Sequence, residues 1–118
     1  MPTRKDALTT SLARSQEINI RVIGRRSGRT ISNPDWFVLE DKLYLLPVQG
    51  SNTQWYKNVL KNPSIQIEAS GKEFDVKAVP VTDAKLVSSV VDKFRGKYGA
   101  SDVKKYYSKF DVAVVAEL

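Results

Sequence analysis

Residues 43–63 read LYLLPVQGSNTQWYKNVLKNP, and this stretch decides the fold because its hydrophobic period changes halfway along it. The apolar run Leu43–Val48 predicts a strand, and the small polar residues of Gly50–Thr53 end that strand and can cap a helix. Aromatic and aliphatic residues then recur at helical spacing until Asn62-Pro63 stops the helix. The stretch therefore predicts a strand that leads directly into a helix.

Strand patterns lie on both sides of this helix. Upstream, alternation in Ile18–Val22 and a run from Thr30 to Leu39 predict two strands that form hairpins with their neighbours. Pro34 lies inside the second strand and indicates an edge or a bulge. Downstream, the pattern predicts three strands, Ile65–Ala69, Phe74–Ala78 and Val112–Ala116. It also predicts two helices between the second and third of these strands. The first is capped by Thr82 or Asp83 and has Leu86, Val90 and Phe94 as its apolar stripe, and the second runs over Ser101–Lys109.

The predicted order is β-β-β-α-β-β-α-α-β, with strands in hairpins rather than separated by helices. This order argues against a doubly wound parallel sheet. It predicts an α+β chain, mainly β: a small antiparallel barrel of about six strands with flanking helices. The chain of 118 residues is the length of one domain. We expect residues 17–118 to form it, after a flexible or weakly helical lead over residues 1–16.

Composition removes several kinds of chemistry. The sequence has no cysteine and no histidine, which excludes disulfides, thiolate nucleophiles and histidine bases. No carboxylate spacing resembles a calcium loop or a two-metal site, so no metal is expected. The net charge of +6 favours an anionic partner, namely nucleic acid, anionic lipid or a phosphate-bearing small molecule. No secretory signal or membrane span is visible, and a cytoplasmic protein is expected.

The arginine turn, residues 24–29, is the first candidate binding element. Its sequence GRRSGR combines flexible glycines, three arginines and one hydroxyl, and guanidinium forks match phosphate geometry. The alternative is a basic β-turn whose charges only face solvent.

The start of the helix after Thr53 is the second candidate, because its unpaired N–H groups can bind an anion or the carbonyl oxygens of a flat ring. Trp55 could line such a ring or pack in the core. Trp36 either packs into the barrel or lines a cleft at its rim. Tyr98, Tyr106 and Tyr107 are candidate proton donors or packing residues.

The two elements together resemble a known family. The motifs are Gly24-Arg25-Arg26-Ser27-Gly28, Asn33-Pro34-x-Trp36-Phe37, Gln49-Gly50 and Trp55-Tyr56-x-Asn58-Val59-x-x-Asn62-Pro63. In these residues the chain resembles the deazaflavin-dependent nitroreductases. These are small split β-barrel oxidoreductases that use the reduced deazaflavin coenzyme F420, and they are distant relatives of the flavin-mononucleotide-binding pyridoxamine phosphate oxidases.

The resemblance implies a cofactor site and a reaction. It implies that the arginine turn binds the coenzyme's phosphate and that the helix start meets the polar edge of the ring. The implied cofactor-binding residues are Arg25, Arg26, Ser27, Arg29, Ser32, Asn33, Pro34, Trp36, Leu46, Pro47, Val48, Gln49, Gln54, Trp55, Tyr56 and Asn58. Tyr106 and Tyr107 lie where the family has its substrate pocket. The implied function is hydride transfer from F420 to a small acceptor such as a quinone, a nitro compound or an enone.

Two departures from the family pattern concern the cofactor. Some members carry a basic residue where Ile31 and Gln49 stand, and Arg29 can replace the first because it shares the strand face of Ile31. The neutral Gln49 leaves flavin mononucleotide (FMN) as the alternative cofactor. Two other functions stay open: a carrier of FMN or F420 without turnover, and an anion-binding or nucleic-acid-binding barrel, although no nucleic-acid motif is present. The resemblance also allows a homodimer.

Overall fold

The structure is a computed structural model that describes residues 10, 12, 13, 15 and 17–117, with only the backbone of the last of these. Most of the expected lead over residues 1–16 lies outside the described residues. Of those described there, Leu12 is helical and buried in the core. Among the described residues, no helix is long and apolar enough to cross a membrane.

Seven strands form one antiparallel sheet: β1 Ile18–Ile23, β2 Thr30–Asp35, β3 Phe37–Leu39, β4 Leu43–Leu45, β5 Ser64–Ala69, β6 Lys72–Val81 and β7 Ala113–Glu117. They lie side by side in the order β2-β1-β5-β6-β7-β4-β3. Besides the helical residues 10, 12 and 13, the described part of the chain has one 3-10 turn and three helices: Gly50–Asn52, α1 Gln54–Lys61, α2 Ala84–Tyr98 and α3 Ala100–Tyr106. The fold class is therefore α+β and mainly β, as predicted.

The sheet curls into a half-barrel because of one short connection. β2 and β3 are the two opposite edges of the sheet, yet only Trp36 separates them along the chain. Asp35 still pairs with Ile18 of β1, and Phe37 already pairs with Leu45 of β4. A one-residue link spans only a few ångströms. The sheet must therefore bend round until its two edges meet at Trp36.

Alternation along the strands fills the half-barrel with one core and covers its outside with another. Ile18, Ile20 and Val22 of β1 are buried at every second position, and α1 contributes Trp55 and Val59 to the same inner cluster. A second cluster lies where α2 and α3 pack on the sheet: Val38, Leu46, Val87, Val90, Val91, Phe94, Val103, Tyr107 and Ala113. The helices thus close the two faces of the sheet.

Several boundaries differ from the sequence-based expectation. The run 30–39 is two strands rather than one, because the chain changes sheet edge at Trp36; Pro34 does lie on an edge strand, as predicted. The strand predicted to reach Val48 ends at Leu45, shortly before a proline that cannot donate to a ladder. Leu86 is 58% exposed, so the stripe predicted for α2 was wrong at its first residue.

An aspartate caps the start of the second helix, and a glycine ends it. Asp83 caps α2, since its carboxylate accepts hydrogen bonds from the N–H groups of Lys85 and Leu86 at 3.0 and 3.1 Å. The helix runs through Gly96, where the sequence had suggested an end, and stops at Gly99, whose φ is +92°. The following helix ends at Tyr106 rather than at the predicted Lys109.

Candidate functional site

The arginine turn joins β1 to the edge strand β2. The Gly28 N–H donates to the Gly24 carbonyl at 2.9 Å, and the Gly24 N–H donates to the Arg29 carbonyl at 2.8 Å. The Ser27 hydroxyl accepts from the Arg29 N–H at 3.2 Å. The turn is therefore closed by its own hydrogen bonds, and its charged side chains are left to project from it.

Arg25 binds the turn to α1. Its guanidinium donates to Asn58 Oδ1 at 2.8 Å and to Gln54 Oε1 at 2.9 Å, and its backbone N–H donates to the same Asn58 oxygen at 3.1 Å. Asn58 is 4% exposed, and these bonds give its buried oxygen two donors. The structure thus brings together three residues that the sequence had assigned to one site, from elements 29 positions or more apart.

The other two arginines of the turn are open. Arg26 and Arg29 are exposed, and neither forms an ion pair with any residue that the structure describes. The half-buried Arg25 is therefore held against α1, whereas Arg26 and Arg29 face solvent. The exposed Ser27 lies between these two arginines along the chain, and the exposed Ser32 follows on the edge strand β2.

The start of α1 contributes backbone N–H groups in addition to the side chain of Gln54. Thr53 occupies the capping position but makes no capping bond, because its hydroxyl accepts from the Gln49 N–H at 2.8 Å instead. Among the residues that the structure describes, the first N–H groups of the helix thus have no side-chain acceptor. Trp55 and Tyr56 are only 4% and 3% exposed. Both belong to the inner core, which is the packing alternative that the sequence left open for Trp55.

The segment between β4 and the 3-10 turn is also largely buried. Leu46 and Pro47 are buried, so neither side chain is available to a ligand without a rearrangement. Val48 and Gln49 are exposed, and the Val48 carbonyl accepts from the Ser108 N–H at 2.9 Å. The implied cofactor strand is therefore accessible only at its last two residues.

A small aromatic cleft lies at the corner where the sheet edges meet. Trp36 stacks on Tyr98 with ring centroids 4.1 Å apart and planes 7° apart, and it meets the edge of Tyr106 at 4.8 Å. The cleft has a volume of about 180 Å³. It is lined by Glu17, Pro34, Asp35, Trp36, Val48, Tyr106 and Tyr107. Five of these had been singled out from the sequence, as cofactor or substrate residues.

The three tyrosines differ in what they can do. The Tyr98 hydroxyl donates to the Phe37 carbonyl at 2.9 Å and accepts from the Phe37 N–H at 3.1 Å, and burial raises its pKa to about 12. Burial also raises the pKa of Tyr107 well above its usual value. Both hydroxyls are therefore protonated at neutral pH. Tyr106 is 58% exposed and is the tyrosine most open to a ligand.

Asp35 is a residue of this cleft that the sequence analysis missed. It is only 6% exposed; its Oδ1 accepts from the Trp36 N–H at 2.8 Å, and its Oδ2 has no partner among the described residues. Burial raises the pKa of Asp35 well above its ordinary value, and nearby Glu17 adds to the rise. The missing signal is the register: Asp35 faces Ile18, whose buried side chain shares the inner face, and register cannot be seen in the sequence.

Asp35→Asn is expected to stabilise the protein at pH 7–8 by at least about 1 kcal/mol, because the wild-type carboxyl group must on folding either take up a proton or be buried as an uncompensated charge, and the amide avoids both costs. Since the folded pKa lies above the unfolded one, the wild type has its full stability at acid pH and loses it as pH rises through the folded pKa. The asparagine variant does not titrate, so its advantage should grow from pH 4 to pH 8. Chemical denaturation at several pH values measures it; Asp75→Asn, at an exposed position of β6, is the control and should not show this growth.

A second carboxylate fixes the turn before α1. Asp111 accepts from the Ser51 N–H at 2.9 Å and from the Ser51 hydroxyl at 2.5 Å, and Lys109 lies 3.5 Å from it. Desolvation acts to raise the pKa of Asp111, but the hydrogen bonds from Ser51 and the charge of Lys109 outweigh it and the pKa is lowered. The ionised carboxylate therefore holds the 3-10 turn against the segment that follows α3.

The curled sheet, with an open arginine turn at one end of its edge strand and an aromatic cleft at the other, defines a half-barrel protein of the α+β class. The chain belongs to the family described as "Uncharacterized protein conserved in bacteria (DUF2255)", whose sequence pattern matches residues 9–115. No curated protein matches the chain by sequence.

Solved structures share the fold at low identity. An F420-H2 dependent reductase, FDR-A, is 18% identical over 86% of this chain and 94% of its own, with a TM-score of 0.66. HutZ, a heme storage protein from Vibrio cholerae, is 15% identical over 98% and 89%, with a TM-score of 0.68. A candidate pyridoxamine 5'-phosphate oxidase from Listeria innocua is 11% identical over 98% and 93%, with a TM-score of 0.69. These likenesses show the fold, and they support the split-barrel prediction.

Proposed function

We propose that this protein is an oxidoreductase that binds the reduced deazaflavin coenzyme F420 and serves a small organic acceptor such as a quinone, a nitro compound or an enone. The observation that carries the proposal is that one strand, β2, leads from the open arginine turn to the aromatic cleft. The coenzyme supplies the hydride when bound, because no protein side chain can donate one. The protein orients the coenzyme and the acceptor relative to each other and excludes part of the water around them.

The distance between the two elements suits an extended cofactor. β2 has six residues, which corresponds to roughly 20 Å of extended chain. A phosphate-bearing tail at Arg26 and Arg29 would leave a flat ring along β2 beside Pro34, at the mouth of the cleft rather than inside it. Ser32 and Asn33 lie between them on the edge strand, whose outer backbone groups face no neighbouring strand of the sheet.

The electrostatics of the turn suit a phosphate. Arginine forks bind phosphate bidentately, and the first N–H groups of α1 lack a side-chain acceptor at the helix end that carries partial positive charge. No acidic residue lies between Lys42 and Ile67, the segment that contains α1. In this proposal Arg25 positions the turn on α1, while Arg26 and Arg29 contact the ligand.

The comparisons bear on the cofactor in opposite ways. FDR-A and the oxidase from Listeria innocua share the fold, which favours a deazaflavin or a flavin. HutZ shares it too, but this sequence has neither histidine nor cysteine, two side chains that commonly hold heme iron. FMN stays the alternative to F420, since the neutral Gln49 offers no charge to an acidic tail.

The double variant Arg26→Glu, Arg29→Glu tests the proposal. Each substitution removes a charge-assisted hydrogen bond to the phosphate and places a negative charge that repels it. We therefore expect binding of F420 or FMN to weaken at least about 100-fold. Thermal stability should stay near that of the wild type, because both residues are exposed and form no described ion pair. Titration of the chain with each cofactor, followed by fluorescence, measures the affinity.

The matched control is Lys72→Glu, Lys85→Glu, which changes the net charge equally at two exposed positions outside the turn. An equal loss of affinity in the control would mean that only overall charge matters. Absence of binding by either cofactor below millimolar concentration would end the proposal. Cofactor binding without reduction of any quinone, nitro compound or enone would instead support a carrier of FMN or F420 without turnover. An affinity for polynucleotide that falls steeply with salt concentration would support a nucleic-acid-binding barrel.

The homodimer and the cytoplasmic location expected from the sequence stay predictions. Both can be checked on the full chain, the first by light scattering and the second by fractionation of the host cell.

A further inference from the structure

The cleft beside Asp35 contains a polar group that the fold leaves unsatisfied. Asp35 lines the cleft, and its Oδ2 is buried with no hydrogen-bond partner among the described residues. Such an oxygen costs about 1–3 kcal/mol and needs an explanation in a well-packed fold. The cleft that Asp35 helps to line has a volume of about 180 Å³, and its walls also include Trp36, Tyr106 and Tyr107.

The hydrogen bonding of Asp35 determines what this oxygen can offer. Oδ1 already accepts from the Trp36 N–H, so Oδ1 is the acceptor oxygen of the carboxyl group. In the neutral acid the proton then resides on Oδ2, which becomes a donor without an acceptor. The charged and titratable groups around Asp35 are Glu17, Tyr98 and Tyr107, and no lysine or arginine is among the residues that line the cleft. The surroundings therefore favour the neutral form.

We propose that this cleft binds a planar aromatic compound through a carbonyl or nitro oxygen, which accepts a hydrogen bond from Oδ2 of the neutral Asp35. The proposal rests on the proposed function in that it names how the acceptor is held. A flat ring matches the aromatic walls, and a volume slightly above that of a benzene-sized cavity suits one substituted ring. The acidic side chain of Glu17 at the cleft disfavours an anionic ligand.

Two isosteric probes test the hydrogen bond without any cofactor. Acetophenone carries the carbonyl oxygen, whereas α-methylstyrene has the same planar shape with a methylene group in its place. Binding is followed in nitrogen–proton NMR spectra, where the two tryptophans give two indole signals. We expect the Trp36 signal to shift and the signal of Trp55, buried in the inner core, to stay. Acetophenone should bind about five- to tenfold more tightly than α-methylstyrene.

Substitutions of Asp35 separate the donor from a merely structural role. Asp35→Asn keeps an N–H donor toward the cleft and should retain the preference for acetophenone, while Asp35→Leu should lose it. In the wild type the preference should fall as pH is raised and the carboxyl group ionises, and in the asparagine variant it should not. If the leucine variant does not fold, the asparagine variant and the pH series decide by themselves.

The outcomes are distinct from those of the cofactor experiment. Equal affinity for the two probes, a preference unchanged by pH in the wild type, or an unshifted Trp36 signal would overturn the proposal. Loss of the preference in Asp35→Asn would also overturn it, since the carboxylate and not a neutral donor would then be required. Acetophenone binding without any F420 or FMN binding would keep the carbonyl site and remove only the reductase assignment.

Discussion

Gly50→Ala is expected to destabilise the protein by about 2–4 kcal/mol. Gly50 has a φ of +55°, a conformation that costs other residues about 1 kcal/mol or more. A Cβ at this position would also lie 2.1 Å from Asp111 Oδ1 and 3.1 Å from Lys109. Asp111 cannot move away without breaking its hydrogen bonds to Ser51, which hold the turn before α1. Chemical denaturation monitored by circular dichroism gives the free energy of unfolding.

Gly28→Ala is the matched control for this substitution. Gly28 also has a positive φ, +72°, but nothing lies within 4 Å of an added Cβ. Gly28→Ala should therefore lower the free energy of unfolding by only the cost of the positive φ, about 1 kcal/mol. If both alanine variants lose the same stability, the contact of Gly50 with Asp111 has no energetic weight. Because the double variant Gly50→Ala, Asp111→Ala removes the clash, it should lose less than the sum of the single variants.

Asn58→Ala is expected to cost about 2–4 kcal/mol of stability and to weaken cofactor binding about tenfold. The change removes the acceptor of two Arg25 donors and leaves the backbone N–H of Arg25 half-buried without a partner. It also leaves the bond from Arg25 to Gln54 as the remaining described side-chain link between the arginine turn and α1, so Arg26 and Arg29 are held less firmly in position. The free energy of unfolding and the affinity for F420 and FMN are measured on the same variant.

Asn52→Ala provides the comparison for Asn58. Asn52 is exposed, and its described hydrogen bond, from its N–H to the Gln49 carbonyl, involves only the backbone. We expect a stability change within about 0.5 kcal/mol and an unchanged affinity. A stable Asn58→Ala variant with reduced affinity would assign Asn58 to the ligand directly; an unstable variant with full affinity would contradict the positioning role of the turn.

Patterning along the chain was enough for the elements of the fold. Alternation in β1 and helical spacing in α1 correspond to a strand and a helix, because these periods decide which face meets the core. In α1 the spacing correctly marked Trp55, Tyr56 and Val59 as apolar contacts, but Leu60 is 56% exposed. The split of β2 from β3 was not visible, since a run of strand-forming residues does not show where the chain crosses from one sheet edge to the other. Leu86 was misassigned because helical spacing fits two neighbouring stripes, and only the packing partner selects one.

Single residues of the candidate site were harder to predict than its elements. The sequence identified three arginines in one turn, but their different roles follow from Asn58 and Gln54, which approach from α1. Trp55 and Trp36 looked alike as aromatic candidates, yet one is in the core and the other lines the cleft. Asp35 carried no signal at all, because an isolated acid in a strand is usually solvated.

The sequence by itself determined the class of fold, the basic turn and the lack of cysteine and histidine chemistry, because composition and local hydrophobic period are properties of neighbouring residues. Only the tertiary structure decided that β2 and β3 close the sheet at Trp36 and that Asp35 lies buried beside it. It also decided which arginines remain open. These features depend on contacts between residues far apart in the chain, and strand register, which fixes such contacts, leaves no trace in local periodicity.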